Sequence, residues 1–346
     1  MSEGLNERSR QILQAIIEDY IASGEPVGSR AVARYGGINL SPATVRNAMA
    51  DLEEMGYLSS PHTSAGRIPT EKGYRFYLAS LLQVKELSVL EREQIRRHYH
   101  FQELETEDRL REAGRLLSVA SRYTGIVMVP RFTSTIFRRI EFVSLSSTRL
   151  LVVFITHTGM VQHKLVEIVE PLSQSQLDEA TNYLNQEFSG LTVQEMKALI
   201  AGEMEQEQAL YDQLRRRALL LSSQALEEEL GGQVFIEGTA NILDQPEFAD
   251  LNRMKRLLLA FEQKSLLVEL LDKTQQVEGV QIFIGSQDEY SEIEGCSLVT
   301  ASYSSRYGTA GTLGIIGPTR MPYSIVIPLV EYTARLVSDI LSRDSE

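Results

Sequence analysis

Apolar residues in the first eighty positions recur at helical spacing. Ile12, Leu13, Ile16, Ile17, Tyr20 and Ile21 fall at i, i+1, i+4, i+5, i+8 and i+9, one continuous stripe. Asn6 stands where a cap is expected, and Gly24 and Pro26 close the segment. A shorter helix, with Ser29 as its cap, turns Ala31, Val32 and Ala33 inward before Gly36-Gly37 breaks the chain. The third helix has the sharpest start: Ser41 is a good N-cap, and Pro42 at the first helical position loses no needed hydrogen bond. Val45, Ala48, Met49, Leu52 and Met55 make its inner face, and Gly56 supplies its stop. Ala43, Arg46, Asn47, Ala50 and Glu54 point the other way. Tyr57-Leu58 then reads as a strand, Pro61 to Gly66 as a loop and Arg67-Ile68-Pro69 as the returning strand. Thr70 caps a fourth helix, with Tyr74, Tyr77, Leu78, Leu81 and Leu82 inward and Lys72 and Arg75 outward.

Taken alone, the third helix reads as a plain amphipathic surface helix. Three helices followed by a hairpin change that reading to a winged helix-turn-helix, whose recognition helix enters the major groove. The outward edge opens with small and hydrogen-bonding residues, which suits a groove about 12 Å wide, where Arg pairs with guanine and Asn with adenine. Thr44, Arg46 and Asn47 are therefore the expected base readers, with Ser41, Arg67, Lys72 and Arg75 on phosphates. His62 and Arg67, in the wing, are expected beside a phosphate or the adjacent minor groove.

Downstream, Glu86 to Tyr99 and Leu104 to Val119 are charged and periodic, as linker helices are. His98 and His100 bracket Tyr99 on different helix faces, a poor metal pair. From Gly125 the period shortens. Ile126 to Val129, Ile140 to Leu145, Leu150 to Thr156 and Met160 to Val169 are expected to form one antiparallel meander, followed by a helix from Ser173 to Phe188. Val193 to Leu230 is helical and heavily charged, with a seam at Leu210, Leu214, Ala218, Leu221 and Ala225 that suits another helix, such as a second subunit's. After Val234 to Ile236 comes one long helix from Asp250 to Lys273. Val280 to Ile284, Ser297 to Tyr303 and Thr312 to Ile316 are strands, and Tyr323 to Leu341 is a final helix that Pro328 either kinks or delays. The order suggests one α+β domain interrupted by an insertion. The expected divisions are 1–82, 83–119, 120–190, 191–275 and 276–346.

Charge refines the picture. The 346 residues carry 34 Lys+Arg against 47 Asp+Glu, a net charge of −13, which excludes a uniformly basic coat for nucleic acid. From Pro26 to Ser80, however, six basic residues (Arg30, Arg34, Arg46, Arg67, Lys72, Arg75) face four acidic ones (Asp51, Glu53, Glu54, Glu71), so that window is +2. The longest apolar run, Leu150 to Ile155, is far below the ~20 residues of a membrane helix. With no apolar leader either, a cytoplasmic protein without membrane contact is expected. A single cysteine, Cys296, leaves no internal disulfide or cysteine-based zinc cluster. Glycines between Thr312 and Tyr323 lack the Gly-Lys-Ser/Thr ending of a phosphate loop and read as a strand-ending turn. No nucleophile elbow, HExxH or kinase signature occurs. Neither an enzyme nor a cofactor is expected.

The strings Ser41-Pro42-Ala43-Thr44-Val45-Arg46-Asn47-Ala48-Met49-Ala50-Asp51-Leu52-Glu53 and Ser64-Ala65-Gly66-Arg67-Ile68-Pro69-Thr70, followed by Lys72-Gly73-Tyr74-Arg75, resemble the heat-inducible transcription repressor HrcA family. The resemblance covers nearly the whole chain. It implies a GAF-like α+β domain in two parts, 120–190 and 276–346, interrupted by a mainly helical dimerisation domain at 191–275. It further implies a homodimeric repressor on the CIRCE inverted repeat in double-stranded DNA, with GroEL-type chaperonin promoting the active state. A metabolite-responsive regulator, with its effector in the GAF-like domain, is the alternative.

Overall fold

Helix α1, Glu7–Ser23, starts where Asn6 Oδ1 accepts the Ser9 amide at 2.8 Å, and it buries Ile12, Leu13, Ile16 and Ile17 completely. The structure, a computed structural model, describes residues 5–36, 38, 40–62, 66–98, 104–129, 135–157, 159, 161–168, 171–205, 221–222, 233–242, 244–275, 279–285, 291–305 and 308–343. Helix α2, Ser29–Val32, is capped by Gly28 in extended backbone, so Ser29, expected as the cap, is instead the first helical residue. Of its three expected inward residues Val32 is buried, Ala33 is half-buried and Ala31 is exposed. Helix α3, Pro42–Glu54, strands β1 (Leu58–Ser59) and β2 (Ile68–Pro69), and helix α4, Glu71–Ser80, complete a winged helix.

Helix α5 (Val89–His98) leads to the body, and α6 (Thr106–Ser121), expected as a linker helix, is instead part of it, with Leu110, Ala113, Leu116 and Leu117 fully buried. Tyr99 and His100 lie outside the described residues. The body's sheet contains β3 (Thr124–Met128), β7 (Val234–Glu237), β8 (Val280–Ile284), β9 (Cys296–Ser305) and β10 (Gly308–Pro318), in the antiparallel order β7-β3-β10-β9-β8. Alternation along β3 sends Val127 and Val129 to one core and Ile126 and Met128 to another. The first core lies under α6 and a final helix α11, Tyr323–Arg343; the second lies under α9, Leu251–Gln263, and α10, Ser265–Gln275. The body is thus a sheet between two helical layers.

Three expectations need correction here. First, the strand at 124–128 does not open a four-stranded meander. Only β4 (Phe137–Ser146), β5 (Arg149–Thr156) and β6 (Val161–Glu167) form that sheet. All five residues of β3 are buried because both of its faces are covered, and such strands read as unbroken apolar runs. Second, the divide around the insertion lies elsewhere. The Val129 amide donates to the Gln233 carbonyl at 2.8 Å and Met128 pairs with Val234, so the chain leaves the body after Val129 and rejoins it at Gln233. The meander belongs to the inserted unit, where α7 (Gln174–Glu187) and α8 (Val193–Glu205) close a separate core around Phe142, Phe154, Leu177 and Leu184. Residues 251–275, assigned by sequence to the insertion, cover the body's sheet. Third, the expected helix from Asp250 to Lys273 is two helices, broken at Lys264, whose φ of +56° ends α9 with its amide on the Ala260 carbonyl.

Smaller differences are local. Of the expected seam, Leu221 is buried in the inserted unit's core, and Leu210, Leu214, Ala218 and Ala225 lie outside the described residues. Helix α11 begins at Tyr323 with Pro328 inside it, so the proline does not delay the start. The glycine-rich stretch is the interior of strand β10, flanked on both sides by β3 and β9, and the turn comes only at Thr319-Arg320. Cys296 is buried at the start of β9, and burial pushes its thiol up to about 12, so it stays protonated and unreactive.

The winged helix shares a continuous apolar core with α6 and α11. Tyr74 of α4 lies 6.5 Å from the Tyr323 ring. Arg320 donates from Nη1 to the Ile21 carbonyl in the last turn of α1 (3.3 Å) and pairs through Nε with Glu247.

Candidate nucleic-acid interface

Helix α3 owes its start to Ser41, whose Oγ accepts the Thr44 amide at 3.2 Å and lies 2.9 Å from the Thr44 hydroxyl. Both expected phosphate- and base-facing hydroxyls are thus joined in one cap, which holds the helix N-terminus, with its partial positive charge, at the surface. Val45, Ala48, Met49 and Leu52 are buried, while Ala43, Arg46, Asn47, Ala50 and Glu54 are exposed. Met55, expected on the inner face, is 38% exposed, because it is the C-cap residue and lies past the last buried turn. The stop is the expected one: the Gly56 amide bonds to the Glu53 carbonyl and the Tyr57 amide to the Leu52 carbonyl, each at 2.9 Å.

Around the wing, backbone packs directly against backbone. Val27 and Arg67 exchange backbone hydrogen bonds of 2.9 Å in both directions, and a Cβ on Gly66 would lie 2.4 Å from the Val27 carbonyl oxygen, so no larger residue fits there. A Cβ on Gly73 would lie 2.3 Å from the Tyr57 carbonyl oxygen. Backbone thus comes so close to Gly66, before β2, and to Gly73, in α4, that both glycines of the sequence strings are steric requirements.

The expected phosphate ligands of this region fall into two groups. Arg67 pairs with Glu53 at 2.8 Å, donates to Ser60 Oγ at 3.3 Å, and is only a quarter exposed. Lys72 donates to the Met55 carbonyl at 2.8 Å with its ammonium 4.5 Å from the centre of the Tyr57 ring. These two cations are committed to the end of α3. Arg75 pairs with Glu71 in a surface i,i+4 contact, 2.6 Å at the closest, and stays mostly exposed. His62 is exposed at the tip of the wing. The structure therefore leaves Ser41, Arg46 and Asn47 exposed and Thr44 half-buried on α3, and gives Arg67 and Lys72 partners within the protein. Sequence reasoning missed Glu53 and Tyr57 as the groups that hold the two cations. Neither contact is short-range, so no periodicity marks it.

No group of three or more His, Cys, Asp or Glu side chains that could hold a metal occurs among the described residues, and no described helix is long and apolar enough to cross a membrane. Beside Arg256, Leu259, Gln263 and Glu269 an open cleft of about 420 Å³ runs between α9 and α10.

Comparison with known proteins identifies both halves of the chain. Residues 4–81 match the family described as "Winged helix-turn-helix transcription repressor, HrcA DNA-binding", and residues 107–327 match the one described as "HrcA protein C terminal domain". A protein of Geobacter sulfurreducens named heat-inducible transcription repressor HrcA is 53% identical over 337 residues, 97% of this chain and 98% of its own. Its namesake in Syntrophobacter fumaroxidans is 44% identical over 344 residues, 99% of each chain. A crystal structure described only as that of a hypothetical protein, at 2.2 Å resolution, superposes with a TM-score of 0.64 and 25% identity, covering 99% of this chain and 100% of the other.

Proposed function

Because this chain belongs to the HrcA family of heat-inducible transcription repressors, we propose that it acts as a homodimer on a CIRCE-type inverted repeat, repressing chaperone operons by excluding RNA polymerase. It is a repressor with a winged-helix DNA-binding domain. In this reading α3 enters the major groove, Thr44, Arg46 and Asn47 read base edges, and Ser41, His62 and Arg75 lie along the backbone. The observation that carries it is the exposed Ala43-Arg46-Asn47-Ala50 edge, backed by a fully buried face and left without an acidic partner for Arg46 among the described residues.

Two-fold assembly is supported by the outer face of the inserted sheet. Its inner face is covered by α7 and α8, while Val143, Leu151 and Leu165 stand in one cross-strand row on the other side, with Ile155 beside Val161. Val143, Val161 and Leu165 are each more than two-fifths exposed. A second copy covering this row would present two recognition helices to an inverted repeat. The chaperonin part of the reading is supported by topology. The body depends on strands that pair across long chain separations, which fold slowly and leave apolar surface open meanwhile.

The test is genomic footprinting of the purified protein at two temperatures, with and without GroEL-type chaperonin. An inverted repeat protected at low temperature, lost on heating and restored by chaperonin is expected. Protection without two-fold symmetry, or indifferent to both treatments, overturns the reading.

A further inference from the structure

Resting on that DNA-binding reading, we infer that Arg30 and Arg34, on the helix before the recognition helix, form the main phosphate clamp, and that Arg67 and Lys72 are positioning residues. The pairing of cations across the winged helix leads there. Arg10 donates to the Leu5 carbonyl, Arg67 to Glu53 and Ser60, Lys72 to the Met55 carbonyl, and Arg75 to Glu71. Arg8, Arg30, Arg34 and Arg46 have no such partner among the described residues, and all four are exposed.

Arg30 and Arg34 are four residues apart in a helical stretch that continues past α2, since the Ala33 amide bonds to the Ser29 carbonyl at 3.1 Å and the Arg34 amide to the Ala31 carbonyl at 3.0 Å. At 100° per residue both point away from Val32, which is 2% exposed and packs into the core. They are therefore neighbours on the outer side of the first helix of the helix-turn-helix, the element that crosses the DNA backbone. Glu18 of α1, which accepts from the Tyr35 hydroxyl next to Arg34 in sequence and from Gln14 Nε2 at 2.9 Å, pairs with neither arginine. Asp19 lies near Tyr35 and makes no ion pair with Arg34. Two unpaired guanidiniums on the backbone-facing helix are a ready bidentate match for phosphate oxygens.

Lys72 and Arg67 serve a different end. Lys72 neutralises the negative C-terminal end of α3 from its place on the Met55 carbonyl and the Tyr57 ring, and Arg67 braces the wing against Glu53. Both fix where the recognition helix points.

Titrating the full chain onto a labelled 30-base-pair duplex of mixed sequence, from 50 to 200 mM KCl, separates the two roles. Removing one phosphate-binding charge flattens the salt slope by about 0.9. An R30A/R34A variant is expected to flatten it by about 1.8, so across this fourfold salt range wild type loses about 12-fold more affinity than the variant. R8A and K72A are expected to keep the wild-type slope, K72A with a lower melting temperature and poorer discrimination between inverted-repeat and mixed duplex. The R30K/R34K variant keeps both charges and is expected to restore the slope. A wild-type slope in R30A/R34A, or equal flattening in R8A or K72A, overturns the inference while leaving the DNA-binding reading intact. A wild-type protein that binds no duplex at 50 mM KCl overturns that reading itself. Should R30A/R34A fold poorly, R30Q/R34Q takes its place, since it removes both charges while keeping long polar side chains, and a wild-type slope there overturns the inference.

Discussion

The winged helix and the body's five-stranded sheet are both organised around apolar cores, yet they are specified over very different stretches of chain. In the winged helix, Asn6, Ser41 and Thr70 each hold the amide three residues on, and β1 pairs with β2 across one short wing. In the body, β3 sets Gly125 opposite Glu237 on one side and Ile126 opposite Gly314 on the other. Short-range chemistry thus builds the DNA-reading head, while the platform that carries it forms only when distant segments meet. A repressor so divided can keep an intact head on a platform that fails first with heat.

The contrast can be broken most forcefully in the inserted unit. Phe154 is 2% exposed in that unit's own core, and Phe154→Ala is expected to cost about 3–5 kcal/mol. Hydrogen exchange should then lose protection across 137–205 and retain it in β3 and β10. Loss spreading at once to β3 would show that insert and sheet form one cooperative unit.

The joint between head and platform comes next. Arg320 and Glu247, each mostly buried, tie the end of α1 to the body, and Arg320→Ala leaves the Glu247 carboxylate unpaired and the Ile21 carbonyl without this donor. About 2 kcal/mol of stability is expected to go with it. Calorimetry is expected to set the melting of the head further apart from that of the body than in wild type. A single transition shifted as a whole would place the coupling in the shared apolar core instead.

The smallest effect sharpens the local side of the contrast. Ser41→Ala removes the cap of α3 and is expected to cost about 1 kcal/mol in denaturant unfolding, with Ser41→Gly milder. Equal stability for all three proteins would mean that packing of Val45 and Leu52, not the cap, fixes the helix start.

The same contrast decides what is legible in the sequence. Caps and inner faces of α1, α3 and α4, and the glycine stops of α1 and α3, are readable because each is a local signal, and so is the polar edge of α3. Met55 escapes because periodicity does not say where the last buried turn ends. Strand β3 falls into the wrong sheet on sequence alone because Ile126 to Val129 looks the same whether a strand is half-covered or covered on both faces. The break at Lys264 carries no glycine or proline to announce it. In the candidate interface, Arg67 and Lys72 look like free cations because Glu53 and the Met55 carbonyl meet them only after folding.

The central claim, that the outer edge of α3 reads base sequence, is tested most directly by the ratio of affinities for the footprinted inverted repeat and a mixed-sequence duplex. In an R46A/N47A variant that ratio is expected to collapse toward one, each side-chain pairing with a base being worth about 1–3 kcal/mol, while binding to the mixed duplex persists. A variant that discriminates as well as wild type would contradict the account.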